Sequence, residues 1–343
     1  MVILLLFPVH TFMIWNNFGQ KFYIWAGPSK VLSTLIVAVN PWLMPLLFAV
    51  AGISARYSLQ KRSEKEFFIE RIKKLLIPFM AGLVFLVPIQ TFYARKYFFG
   101  YKGNYLDNVA YFFTHATDLS GYDGCFTPGQ LWFILFLFII SMLFLALNRF
   151  IPYEKVEKYG DRLNIWQILA LFIPVALLYY IGNFGSFSIG KCFAMFILGY
   201  YVLSNDRVLE TIKRNAGPIL VLFAALEIAL IVLFYRAHFY EDVFVNFTAW
   251  IGTLALLSLG QKYLDRNTGF TRYFNAASYP VYILHQSILV AVAYYAVTYV
   301  NGLILQITII MMGSFLMTIA CYEIINKIPF IRNLLGIYKK KHA

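Results

Sequence analysis

His10 lies in the apolar run Val2 to Trp15, which holds no other ionisable side chain. Lipid offers no hydrogen-bond partners, so an imidazole at that depth has to face protein or a wet cavity. Histidine also exchanges protons near neutral pH, which makes His10 a candidate general base or nucleophile. A histidine simply bonded to a neighbouring helix is the structural alternative. Three more polar groups stand in apolar runs: His285 within Ser278 to Ile288, Glu227 within Ala224 to Ile231, and Gln130 ahead of Leu131, Trp132 and Phe133. Glu227 has to pair or stay neutral in such a place, and it is a candidate for orienting an imidazole. His285 and Gln130 serve equally well as interhelical hydrogen-bonding groups. Outside these runs, Arg71 and Lys74 stand one helical turn apart with Lys73 beside them. That patch either anchors the chain at a membrane surface or meets an anionic ligand such as a nucleotide phosphate.

The elements that position these groups are helices in a bilayer. Hydrophobic residues make up 61% of the 343 and charged residues 13%, about half the charged share of soluble domains. Apolar stretches of about 17–25 residues recur, each long enough for roughly 30 Å of hydrocarbon. The expected class is all-α, a polytopic transmembrane bundle of about ten helices. They are expected near 1–16, 33–59, 72–92, 129–148, 165–182, 189–204, 217–236, 245–260, 279–299 and 303–326. The long unbroken runs exclude the alternating pattern of a membrane β-barrel.

The net charge of +13 follows this topology. With both termini cytoplasmic, 22 of the 29 Lys and Arg fall on the inner side. The basic surplus is thus read as orientation and anionic-lipid contact, with no nucleic-acid partner. Cys125, Cys192 and Cys321 are scattered, and Asp107, His115, Asp118 and Asp123 fit no ligand spacing, so no metal is assigned. GxSxG, P-loop and HExxH motifs are absent. Residues 1–343 are read as one integral-membrane domain. Its first helix is short, so the chain is expected to start upstream of Met1. The outer connection, roughly 93–128, is a long loop dense in aromatic residues. It suits an interfacial belt or a platform for sugar rings.

Five stretches in order carry a resemblance to the acyltransferase 3 family of membrane acyltransferases, closest to its glucan biosynthesis protein C branch. They are Leu4 to Phe12 with His10, Pro45 to Leu59, Glu70 to Thr91, Pro128 to Phe133, and Tyr282 to Ser287. The third is similar to the family's Arg-x-x-Arg-Leu-x-x-Pro segment, with Lys74 at its second arginine. That exchange keeps the charge and loses the bidentate fork. Gln130 stands where glucan-type relatives often carry histidine. The family's arginine about ten residues before its signature histidine has no counterpart, since only Met1 to Val9 precede His10.

The resemblance implies a multi-pass protein of the bacterial cytoplasmic membrane. It would move an acetyl or succinyl group from cytosolic acyl-CoA to a hydroxyl of an extracytoplasmic glycan or glycolipid. Arg71, Lys73 and Lys74 would hold the coenzyme A phosphates, and His10, with Glu227, would be catalytic. Gln130, Trp132 and His285 would meet substrate. Acyl-CoA is then a substrate, and no cofactor is permanently bound. His10 could act as general base or carry the acyl group itself. The rival from another class is a transporter or flippase for a polysaccharide precursor, which also wants buried polar groups and an aromatic outer segment.

Overall fold

The structure is a computed structural model that describes residues 2–184, 187–264 and 268–337. Among the described residues, seven helices are long and apolar enough to cross a membrane, and three shorter apolar helices accompany them. In chain order the helices are α1 (Val2–Met13), α2 (Lys30–Leu59), α3 (Glu64–Phe99), α4 (Tyr105–Thr114), α5 (Gly129–Phe150), α6 (Tyr153–Gly160), α7 (Ile165–Leu178), α8 (Ile189–Tyr201), α9 (Asp206–Arg214), α10 (Ala216–Ala237), α11 (Asp242–Tyr263), α12 (Gly269–Tyr299), α13 (Leu303–Lys327) and α14 (Pro329–Leu334). A two-residue hairpin, β1 (Asn183–Phe184) with β2 (Phe187–Ser188), precedes α8. Each of the ten expected segments overlaps a helix, but α1, α7 and α8 are shorter than a membrane span. Seven helices among the described residues are thus long enough to cross where about ten were expected. The chain is a helical, multi-pass membrane protein.

Two boundaries differ from the hydropathy reading because caps, not apolar residues, set them. α3 begins at Glu64, where Ser63 and Glu66 cap each other: the Ser63 N–H donates to Glu66 Oε2 at 2.8 Å. α12 begins at Gly269 through the same device, Thr271 N–H to Thr268 Oγ1 at 3.1 Å. α3 also runs on to Phe99 and stops at Gly100, whose φ of +61° favours glycine. Within the expected loop over 93–128, residues 93–99 and 105–114 are therefore helical, the second stretch because Asn104 caps α4 by accepting from the Asp107 N–H at 2.9 Å.

The chain divides into two compact units. The first contains the chain up to Ile36, Ile72–Leu135 and the chain from Thr268 on. Its core sets Ile14, Trp15, Phe22, Tyr23 and Ile24 against Leu289, Val290, Ala293 and Ala296 of α12. Asn16 turns the chain out of α1, donating from Nδ2 to the Met13 carbonyl and accepting from the Phe18 N–H. In α3, Pro78 has no N–H for the Lys74 carbonyl four residues back. A π-turn over Ile72–Leu76 accommodates it, and the Tyr279 hydroxyl donates to that carbonyl instead.

The second unit holds Val37–Arg71 and Phe136–Asn267. Its tightest seam joins α2 to α8 at Gly52 and Gly199. A Cβ on Gly52 would press into the Phe196 carbonyl, and one on Gly199 into the Ala49 carbonyl. Small residues are what allow membrane helices to approach so closely. Trp250 of α11 donates its indole N–H to the Ile168 carbonyl of α7 at 2.9 Å. Arg56 lies 3.5 Å above the Tyr153 ring.

Candidate active site

In the first unit, α1 turns Phe7 and His10, one turn apart, toward α12. The His10 and His285 ring centroids lie 5.2 Å apart, and the Phe7 ring meets His285 edge-on at 5.8 Å. Phe22 stacks nearly parallel on His10, with centroids at 6.0 Å, and Tyr122 meets Phe22 edge-on at 5.7 Å. His285 is 1% exposed, whereas His10 keeps partial exposure.

Hydrogen bonding sets the state of the inner ring. His285 Nδ1 lies 2.6 Å from the Tyr282 carbonyl, which can only accept, so Nδ1 carries the hydrogen. In the neutral ring this leaves the lone pair on Nε2. Both His285 Nε2 and His10 Nδ1 are buried and have no hydrogen-bond partner among the described residues. Buried polar atoms are normally partnered, and exceptions mark places where water, an ion or catalytic chemistry supplies the bond.

Beside the pair, Gln130 belongs to a closed set of amides. A glycine-favouring φ of +52° at Gly129 opens the 3₁₀ turn at Gly129–Leu131, and Thr127 Oγ1 accepts the Gly129 N–H at 2.9 Å. Gln130 Nε2 donates to the Ile283 carbonyl at 2.8 Å, and its Oε1 accepts from Gln90 Nε2 at 2.6 Å. The Tyr282 hydroxyl donates to the Gln130 carbonyl. Both ends of the Gln130 side chain are therefore engaged within the protein. Trp132 lies half-buried at the start of α5, with its ring edge-on to Phe133 at 6.3 Å. Gln90 and Gln286 were not singled out by the sequence. The available signal was an amide inside each of two apolar helices, one of them next to His285.

The remaining candidates lie elsewhere. Arg71 ends the second unit's part of α3, its guanidinium 4.3 Å over the Phe67 ring and its buried Nε without a hydrogen-bond partner among the described residues. Lys73 and Lys74 follow in the π-turn, both exposed. Glu227 belongs to the second unit, and neither of its buried oxygens has a hydrogen-bond partner among the described residues. The nearby Trp42 indole gives its N–H to the Ala38 carbonyl at 3.1 Å.

The aromatic segment that follows α3 is built on a layered stack. The Arg95 guanidinium lies between Tyr101, at 4.0 Å, and Tyr111, at 3.9 Å, and His115 stacks on the far face of Tyr111. The following turn is tied by Asp123, which accepts from Thr117 Oγ1 at 2.6 Å and from the Cys125 N–H at 3.0 Å. Burial alone would raise the Asp123 carboxyl, but these bonds outweigh it and hold the group below its ordinary value. A depressed carboxyl stabilises the fold above its unfolded value, about 3.9, and loses that contribution as pH falls through the folded value. The protection factors of amides over residues 117–127, corrected for the intrinsic exchange rate at each pH, should therefore fall below about pH 4. In Asp123→Asn this acid step should vanish, and an unchanged step would exclude Asp123 as its source.

No group of three or more His, Cys, Asp or Glu among the described residues could hold a metal ion. A family model described as an acyltransferase domain, of the acyltransferase 3 type, matches residues 1–323. No curated protein and no solved structure matches the chain. The match spans the histidine pair, the amide set and the basic turn of α3, nearly the whole chain. The protein belongs to the acyltransferase 3 family and is a membrane acyltransferase.

Proposed function

We propose that this acyltransferase moves an acyl group, acetyl or succinyl, from cytosolic acyl-CoA to a hydroxyl of an extracytoplasmic glycan or glycolipid, in a bacterial cytoplasmic membrane with both chain termini inside. The observation that carries the reading is the imidazole pair, one residue partly exposed and one enclosed, each with a buried nitrogen that has no hydrogen-bond partner among the described residues. An alcohol attacks a thioester slowly at neutral pH unless a base takes its proton. His10 takes the hydroxyl proton as the oxygen forms its bond to the thioester carbonyl carbon. The tetrahedral intermediate then expels the coenzyme A sulfur, breaking the C–S bond, and the imidazolium returns the proton to that sulfur. His285, fixed by its bond to Tyr282, supports His10 through the facing ring.

The donor's phosphates suit the basic turn of α3. Arg71 offers a planar fork of donors, and Lys73 and Lys74 add exposed charge. The glycan branch of the acceptor rests on the sequence resemblance and on the aromatic outer segment, whose rings offer faces for sugars. Arg71→Ala should raise the KM for acyl-CoA about tenfold, with a smaller change in kcat, because phosphate binding is shared by ground and transition states. An unchanged KM would remove Arg71 from the donor site. Purified protein supplied with labelled acyl-CoA and candidate glycans tests the whole reading. Labelled glycan supports it, and no transfer from any donor favours the transporter.

A further inference from the structure

We infer that Gln90 is a positioning residue for the histidine pair, acting through a network of amides whose direction is fixed at both ends. The inference rests on the proposed role of His10 and His285. Gln90 is 0% exposed on α3, and its side chain makes three hydrogen bonds. Nε2 donates to Gln130 Oε1 at 2.6 Å and to Ser287 Oγ at 2.9 Å, and Oε1 accepts from Gln286 Nε2 at 2.9 Å.

Backbone carbonyls remove the usual ambiguity of amide orientation, because a carbonyl only accepts. The Ser287 hydroxyl donates to the Leu86 carbonyl at 2.9 Å, so its oxygen is left to accept from Gln90. Gln130 Nε2 donates to the Ile283 carbonyl, so its Oε1 is turned toward Gln90. Only a glutamine with nitrogen toward Ser287 and Gln130, and oxygen toward Gln286, completes the set. One side chain thus ties α3, the first turn of α5 and α12 together.

The tied stretch of α12 brackets His285 on both sides. Tyr282, which accepts from His285 Nδ1, is itself held by its hydroxyl on the Gln130 carbonyl. Gln286 and Ser287 follow directly after the ring. Rotation or sliding of α12 by a fraction of an ångström would move His285 relative to His10 on α1, and buried amides left unpaired would permit it. No chemistry is assigned to Gln90 itself. It acts by holding the turn that carries the inner imidazole.

The test uses Gln90→Met, which keeps length and burial but removes both the donor and the acceptor of the amide. Two readouts are taken on the full-length protein: steady-state transfer kinetics, and ¹⁵N spectra of histidine-labelled protein, which report the tautomer of His285. Wild type should show the Nδ1–H tautomer. Gln90→Met should show an averaged tautomer signal and a kcat lower by about 10–100-fold, with the KM for acyl-CoA within about twofold, as small misplacements of reacting groups cost. If either readout stays at its wild-type value, the inference is overturned. Should Gln90→Met fail to fold, Ser287→Ala carries the same two readouts, with an expected loss of about 3–10-fold in kcat for the fewer bonds removed. If wild type transfers no acyl group, the proposed function fails, and the spectra alone decide whether Gln90 sets the ring.

Discussion

Replacing His10 with alanine should lower kcat for acyl transfer by about 10²–10⁴-fold, the usual worth of a positioned general base. The KM for acyl-CoA should stay near wild type, because the ring is assigned to proton transfer and not to holding the donor. The protein should remain folded. His10 keeps partial exposure, and no hydrogen bond holds its buried Nδ1, so its removal costs ring contacts with Phe22 and His285 and no buried bond. His285→Ala should also be impaired, but it opens a void beside Phe7 and frees the Tyr282 carbonyl, so its melting temperature should fall as well. A His10→Ala protein that transfers within about threefold of wild type would exclude the ring as the base, since even weak general-base catalysis exceeds that.

Gly52→Ala is expected to have the largest effect on stability. The added methyl would meet the Phe196 carbonyl and lie 2.9 Å from the Tyr200 nitrogen, both backbone atoms of α8 that cannot rotate away. The helices would have to separate, with the opposite seam at Gly199 and Ala49 opening too. Overpacking of this kind typically costs about 1–3 kcal/mol, and rigid backbone on both sides puts this case at the upper end. Gly217 makes a matched control, because nothing lies within 4 Å of where its Cβ would stand. Thermal unfolding in detergent should show Gly52→Ala well below wild type and Gly217→Ala close to it. Equal melting of the two variants would contradict the close approach of α2 and α8.

The fold was legible wherever lipid forces the sequence to be simple. A crossing helix needs a continuous apolar run, so each of the ten expected segments overlaps a helix, and seven of those helices among the described residues are long enough to cross. Hydropathy failed at helix ends, because it sees only the apolar part of a helix. Glu64 to Arg71 and Gly269 to Ser278 are helical through their caps and their continuity with α3 and α12, and neither is an apolar run. Residues 93–99 were read as loop for the same reason, since Arg95 and Lys96 interrupt the hydropathy but not the helix.

The site was legible residue by residue but not as an arrangement. His10 and His285 each stand out as polar groups in apolar runs, yet nothing in the spacing of two distant helices says that the rings face each other. Gln130 was visible through its turn, whereas its partners were not. Gln90 and Gln286 are neutral amides that titrate nothing and match no motif, and their role exists only once three elements converge. Glu227 was noticed as a carboxyl in lipid, but which group it answers to depends on packing that periodicity does not encode.

The central claim, that the histidine pair catalyses transfer of an acyl group from a thioester to an alcohol, is tested most directly in sealed proteoliposomes. Labelled acyl-CoA is supplied on the side of the basic turn of α3 and glycan acceptor on the other, with wild type and His10→Ala compared. The account predicts labelled ester on the far-side glycan with wild type and almost none with His10→Ala. Label appearing equally with both proteins, or with neither under any donor, would contradict it.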